Sequence, residues 1–209
     1  HFTDRRQRQM CIRDSYNSPI NETKDFNNLK INEESPVMKL IIRGKKREFI
    51  SKVGKLLDIL LPTESNTSTV GNNISALWLS PDEWMIYSND KIAKNNNTYP
   101  IEENLINNIH KINLGAITDV TDQFIMIKMK GSQIYDLFSN GCPYNFNDFK
   151  NKKGAVTQTI INKIDVIIHN RDVDEVNLFV RRSFSSHLWS WLNDGAKPVS
   201  YTHLRAHDT

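Results

Sequence analysis

Few residues in this chain have the type and spacing to do chemistry. Asp119 and Asp122 flank Thr121 in the run Thr118-Asp119-Val120-Thr121-Asp122, and two carboxylates held together in a cleft could share acid and base work. Two acids at a strand end can equally cap turns or face water, and that is the expectation here. Cys142 stands in Asn140-Gly141-Cys142-Pro143, just past a helical stretch. A thiolate is supported at a helix N-terminus rather than at the negative C-terminal end, so this cysteine reads as packed rather than reactive. Arg181 and Arg182 could meet a carboxylate or a phosphate. Adjacent strand residues point to opposite faces, however, which favours a structural or subunit-contact role for the pair. Of the four tryptophans, Trp78 and Trp189 read as core, and Trp84 and Trp191 as contact residues, because aromatics are enriched at contact hot spots. No constellation demands a catalytic residue.

Known site signatures are missing. The chain contains no GxGxxG, GxxxxGK[ST] or GxSxG motif, so no dinucleotide, P-loop or nucleophile-elbow site is expected. No run of about 18 apolar residues exists to span a membrane.

The two ends distort the bulk numbers. Met10 to Ser15 can be written in codons as ATG TGT ATA AGA GAC AG plus one base. The reverse complement of that word, with its flanking bases, reads GTC TCT TAT ACA CAT CT, which translates to the Val-Ser-Tyr-Thr-His-Leu of residues 199–204. Residues 1–15 and 198–209 are therefore read as adapter-derived and non-native. The competing reading of the first stretch is a basic arm that binds nucleic acid. Without the ends, the net charge falls from +3 to +1, and nucleic-acid binding loses its bulk support. Only His110, His169, His187 and Cys142 then remain of their types. That excludes an internal disulfide framework and a cysteine-rich zinc site, and disfavours a histidine metal site. No signal peptide is visible, so a cytoplasmic protein is expected.

The elements that would position these residues can be read from spacing. Residues 16–35 are polar and are expected to be a flexible N-terminal arm, followed by one domain over 36–197. Val37–Ile42 reads as a strand, and Phe49, Val53, Leu56, Leu57 and Leu60 recur at helical spacing over 46–60. The Ser/Thr/Asn-rich stretch 63–73 reads as a loop. Ala76–Ser80 and Glu83–Tyr87 read as strands broken by Pro81-Asp82, and 101–112 as a second amphipathic helix. A second round follows: strands at 116–121 and 123–130, a Gly131-Ser132 turn and cap, and a helix through Leu137 that a left-handed Gly141 would end. Strands near 155–169 and 176–182 and a helix over 185–193 close the chain. The order implies an α+β fold built from two related β-α-β-type halves.

Three segments carry a resemblance. Ala76-Leu77-Trp78-Leu79-Ser80-Pro81-Asp82-Glu83-Trp84 is similar to the "ALWLGPDEWL" signature of the sarcosine oxidase gamma subunit family. Asp119-Val120-Thr121, leading through Gly131 and Leu137 to Gly141-Cys142-Pro143, resembles that family's "DVS…L.G..A..LL..GC". Leu178-Phe179-Val180-Arg181-Arg182-Ser183-Phe184, with Leu188-Trp189 and Trp191-Leu192, resembles "LYVPRSFA..LWEWL". Arg181-Arg182 departs from the family's usual Pro-Arg. The "KGCYxGQE" motif of iron–sulfur-assembly relatives is not met by Gly141-Cys142-Pro143-Tyr144.

The resemblance implies a folate-binding, glycine-cleavage T-protein-like fold, of which the chain would form one domain. It implies a non-catalytic gamma subunit of a bacterial heterotetrameric sarcosine oxidase that supports assembly with alpha, beta and delta chains. That complex demethylates sarcosine to glycine in sarcosine catabolism, with one-carbon transfer to tetrahydrofolate. No cofactor is expected in this chain; FAD, FMN, NAD, tetrahydrofolate and zinc would sit in the partner subunits. Asp119 and Thr121 are the candidates for pterin or cofactor contact, and Trp84, Arg181, Arg182 and Trp191 the interface candidates. The alternative is a free-standing folate-binding or aminomethyltransferase-like protein.

Overall fold

A computed structural model describes residues 18–34, 37–89 and 98–202, with side chains to 197. Residues 1–15 and 203–209 lie outside the described residues, so the adapter reading of those stretches does too.

Two antiparallel sheets face each other, each with helices on its outer side. The first sheet holds five strands in the order β4 (Ser68–Val70), β5 (Ile74–Ser80), β6 (Glu83–Ser88), β3 (Lys39–Arg43) and β7 (Ala116–Asp119). The second holds six, in the order β1 (Thr23–Phe26), β2 (Leu29–Glu33), β8 (Phe124–Lys130), β11 (Glu175–Arg181), β10 (Ile164–Asp172) and β9 (Val156–Ile161). Helices α1 (Arg47–Leu57) and α2 (Pro100–Leu105) cover the five-stranded sheet. Helices α3 (Ile134–Ser139) and α4 (Ser185–Thr202) cover the six-stranded one.

The expected duplication is visible in the strand order. Reading β3-β6-β5-β4 in one sheet and β8-β11-β10-β9 in the other gives the same path. The outside neighbours are exchanged: β2 precedes the first unit but pairs with β8 of the second, and β7 precedes the second but pairs with β3 of the first. Each unit thus closes its sheet with a strand the chain supplies on its way to the other unit.

Three side-chain layers follow from strand alternation. In β8, Ile125, Ile127 and Met129 face the helices, while Phe124 and Met126 face the opposite sheet. In β6, Trp84 and Ile86 face α1, and Met85 and Tyr87 face the second sheet. Because both faces of each sheet are covered, the central strands are apolar on both sides and show little period-two alternation. On α1 the buried residues are Phe49, Val53 and Leu57, at a spacing of four.

Several expectations need correction. Residues 16–35 do not form a flexible arm throughout, because 23–33 fold as the β1–β2 hairpin. Leu29 and Ile31 are buried on the second core, and Ile31 pairs with Met129. Two alternating apolar residues among polar ones suffice when a distant strand supplies the partner. The stretch 63–73 is not all loop, since β4 pairs with β5. Gly141 is not left-handed; it is small because a Cβ there would lie 2.5 Å from the ring of Trp191. Helix α4 does not stop before Gly195, where a Cβ would press on Leu137. Ser132 does not cap α3; Gln133 stands at that position without a side-chain cap hydrogen bond.

Candidate functional site

The two connections that carry the chain from one sheet to the other meet at a buried polar cluster. Val120 N–H donates to the Lys39 carbonyl at 2.9 Å, and Lys39 N–H donates to Thr121 Oγ1 at 3.0 Å. The Lys39 side chain, 1% exposed, turns its amine onto the carbonyls of Val37 (2.9 Å) and Thr121 (3.4 Å). Asp119 Oδ1 accepts the Thr121 N–H at 2.9 Å, which makes Asp119 a turn-closing residue. Asp119 and Thr121 therefore do come together, at the strand exchange, where each bonds backbone groups of the crossing. Tyr99 closes the cluster. Burial, eased by a hydrogen bond with Thr121, pushes its phenol up to about 12.

Lys39 carries a pH signature. Burial lowers its amine to about 8, against the attraction of Asp119, Asp122 and Glu33. The native chain thus releases this proton before the unfolded chain does, so stability rises with pH between about 8 and 10. A shift of this size corresponds to about 3 kcal/mol. Above about pH 10 the sign reverses, because burial keeps the Tyr87 and Tyr99 phenols protonated in the folded chain. Urea unfolding at pH 7, 8, 9 and 10 should show the rise in the native protein and a flat profile in Lys39→Met. An equal rise in both would remove Lys39 as its source.

A second cluster joins the sheets at their middle. His169 of β10 is fully buried, with Nδ1 2.9 Å from the Tyr87 hydroxyl and Nε2 2.8 Å from Ser68 Oγ. Tyr87 also accepts from Asn177 Nδ2 at 3.0 Å and Arg171 Nη1 at 3.4 Å. Arg171 reaches Ser75 Oγ at 3.0 Å, and Ser75 donates to Asn89 Oδ1 at 2.8 Å. Ser68 has one proton, which it gives to the Gly154 carbonyl at 2.8 Å. Its oxygen is then free to accept from His169 Nε2–H, which leaves Nδ1 to accept the Tyr87 proton. Burial, reinforced by Arg171, lowers the imidazole to about 3, in keeping with this neutral tautomer.

This polarity decides the chemistry. A serine nucleophile needs the imidazole to accept its proton. Here the ring donates to the serine, and the serine donates to a carbonyl. The Ser68–His169–Tyr87 chain is arranged as a cross-link between sheets rather than as a relay.

The sequence-derived contact candidates separate. Trp84 is 1% exposed, so its assignment as a contact residue is corrected. Its indole donates to the Pro62 carbonyl at 2.8 Å and its ring centroid lies 5.9 Å from that of Phe49. A side chain enclosed by its own domain has nothing left to offer a partner. Trp78, expected in the core, is only partly buried, while Trp189 is buried as expected. Trp191 is partly buried against the second core. Arg181 is exposed and lines a groove of about 410 Å³ with Phe124, Ile160, Asp165 and Ile167. Arg182 N–H donates to the Gln123 carbonyl at 2.8 Å at the start of a short 3₁₀ turn. Cys142 is buried, with Sγ 3.5 Å from Thr159 Oγ1.

Sequence reading missed Lys39, Tyr87 and His169 as a polar set. The available signal was a lysine and a histidine inside otherwise apolar strand runs. Among the described residues, no group of three or more His, Cys, Asp or Glu is placed to hold a metal ion, and no helix is long and apolar enough to cross a membrane.

The fold is similar to a chain of heterotetrameric sarcosine oxidase from Corynebacterium sp. U-96, with a TM-score of 0.73 at 16% identity, covering 86% of this chain and 89% of that one. It is also similar to the glycine cleavage system aminomethyltransferase T from Bartonella henselae, with a TM-score of 0.56 at 14% identity, over 80% of this chain and 46% of that one. No curated protein matches by sequence. The model of the sarcosine oxidase, gamma subunit family matches residues 44–197, from just before α1 into α4. The chain belongs to the sarcosine oxidase gamma subunit family.

Proposed function

We propose that this chain acts as a non-catalytic gamma subunit, supporting assembly of a heterotetrameric complex that demethylates sarcosine to glycine and passes the one-carbon unit to tetrahydrofolate. In this reading alpha, beta and delta chains are its partners in the cytoplasm. FAD, FMN, NAD, tetrahydrofolate and zinc belong to those partners. The observation that carries the reading is the family match across 44–197. The buried polar groups support it, because the Ser68–His169–Tyr87 chain and the Lys39–Thr121 crossing spend their hydrogen bonds holding this domain's own sheets together. What then remains for function is surface, with Arg181, Arg182 and Trp191 as contact candidates.

Co-expression with the three partner chains tests it. Omitting this chain should abolish the assembled complex, and the isolated chain should show no saturable micromolar binding of tetrahydrofolate. Assembly that survives the omission would overturn the reading. Saturable folate binding by the lone chain would favour a free-standing folate-binding protein instead.

A further inference from the structure

The solvent side of α1 is built against the usual preferences of a helix. Lys45, Lys46 and Arg47 crowd its N-terminus, where the helix already presents partial positive charge, and cations there are unfavourable. The N-cap position is Lys46, with extended backbone and no side-chain oxygen to receive the first-turn N–H groups. Lys52 and Lys55 add further charge along the helix, against only Glu48 and Asp58. Among the described residues, no ion pair involves any of these five cations.

Beside this charge runs an open groove of about 720 Å³. Arg47, Ile50, Ser51, Gly54 and Lys55 line it from α1, with Asp58 just past the helix end, at the spacing of one helical stripe. Its other wall is the returning segment Ile59–Thr63, turned back by Asp58 in the left-handed conformation. Leu60 stands on that wall 83% exposed, while Leu61 beside it is buried. Eleven residues of helix make the groove roughly 16 Å long, enough for three turns of a partner helix or about five extended residues.

A concave apolar floor with an unpaired basic rim specifies its occupant by charge. We propose that this groove seats an acidic segment of a partner chain. Its large apolar side chain would pack on Ile50, Ile59 and Leu60, and its carboxylates would face Arg47, Lys55 and the uncapped first turn. An anionic membrane surface would also meet basic residues, but a flat surface cannot fill a groove whose apolar residues, Leu60 apart, are recessed between walls. This inference rests on the reading of the chain as a subunit, and adds where a partner docks and what chemistry it brings.

The test uses the assembled complex and a zero-length carbodiimide cross-linker, which joins amines only to carboxylates in direct contact. Lys45, Lys46, Lys52 or Lys55 should be recovered joined to aspartates or glutamates of a partner chain. Leu60→Asp and Lys55→Glu, both at exposed positions and therefore expected to leave folding intact, should each weaken assembly tenfold or more. The loss from Lys55→Glu should shrink as salt is raised. Links from these lysines only within the chain, or only to a second copy of it, would overturn the proposal. So would binding of the free chain to phosphatidylglycerol vesicles that Leu60→Asp abolishes. A complex that forms with these lysines unlinked and Leu60→Asp silent would sink this inference alone. Failure of the chain to enter any complex would sink the subunit reading as well.

Discussion

Lowering the pH from 7 to 4 is expected to remove about 3 kcal/mol of stability through His169 alone. The ring is fully buried, with both nitrogens engaged, and burial together with Arg171 lowers its pKa from 6.5 to about 3. The unfolded chain therefore takes up this proton as pH falls through about 6.5, whereas the folded chain resists until about 3. Over that window the unfolded state binds more protons, so stability declines steadily on acidification and levels off below it. A protonated ring would place Nδ1–H against a Tyr87 oxygen that already accepts from Asn177 and Arg171, and would strand the tyrosine's own proton. The check is urea unfolding from pH 7 to pH 4 on the native chain and on His169→Gln. The variant should start less stable and lose less on acidification. Equal losses would assign the acid sensitivity to carboxylates. Asp172 is one, lowered by its hydrogen bond with Lys153. Glu175 is another, lowered because Lys130 and Lys128 outweigh its burial.

Trp84→Ala is expected to cost about 4 kcal/mol of folding stability, the toll of emptying a buried aromatic site. The indole fills the space between β6 and α1, with Phe49 beside it, and its N–H satisfies the Pro62 carbonyl of the returning segment. Collapse around the void is resisted on both sides, since Leu40, Ile42 and Ile86 are themselves fully buried on the same core. Trp191→Ala should be far milder, at about 1 kcal/mol, because that ring is only partly buried. Chemical unfolding of the two variants gives the comparison. A Trp84→Ala chain of native stability that fails only to bind a partner would restore the contact role which burial denies it.

Much of the domain was legible locally. The apolar spacing of Phe49, Val53 and Leu57 specifies α1, and Pro81-Asp82 marks the turn between β5 and β6. The repeated order of strand and helix announces two related halves, and the Ala76–Trp84 segment carries the family resemblance. These features depend on residues within about ten positions of one another, where periodicity and turn chemistry act.

Everything that required a distant partner was decided only in three dimensions. Leu29 and Ile31 look like stray apolar residues in a polar arm until β8, nearly a hundred residues away, pairs with the strand that carries them. Trp84 and Trp191 are the same residue type in similar company, yet one is enclosed by α1 and the other lies half open beside Gly141. Lys39 acquires its lowered pKa from the burial that the strand exchange imposes, and His169 from burial between the sheets reinforced by Arg171, with its partners Tyr87 and Ser68 on the opposite sheet. By itself the sequence determined most of the helices and strands from Val37 onward and the family they resemble, but not the β1–β2 hairpin, β4 or the full length of α4. The tertiary structure decided which polar groups are buried and which cations stay at the surface. Burial and electrostatic environment are set by whatever packs against a residue, and in this fold that is mostly the other half of the chain.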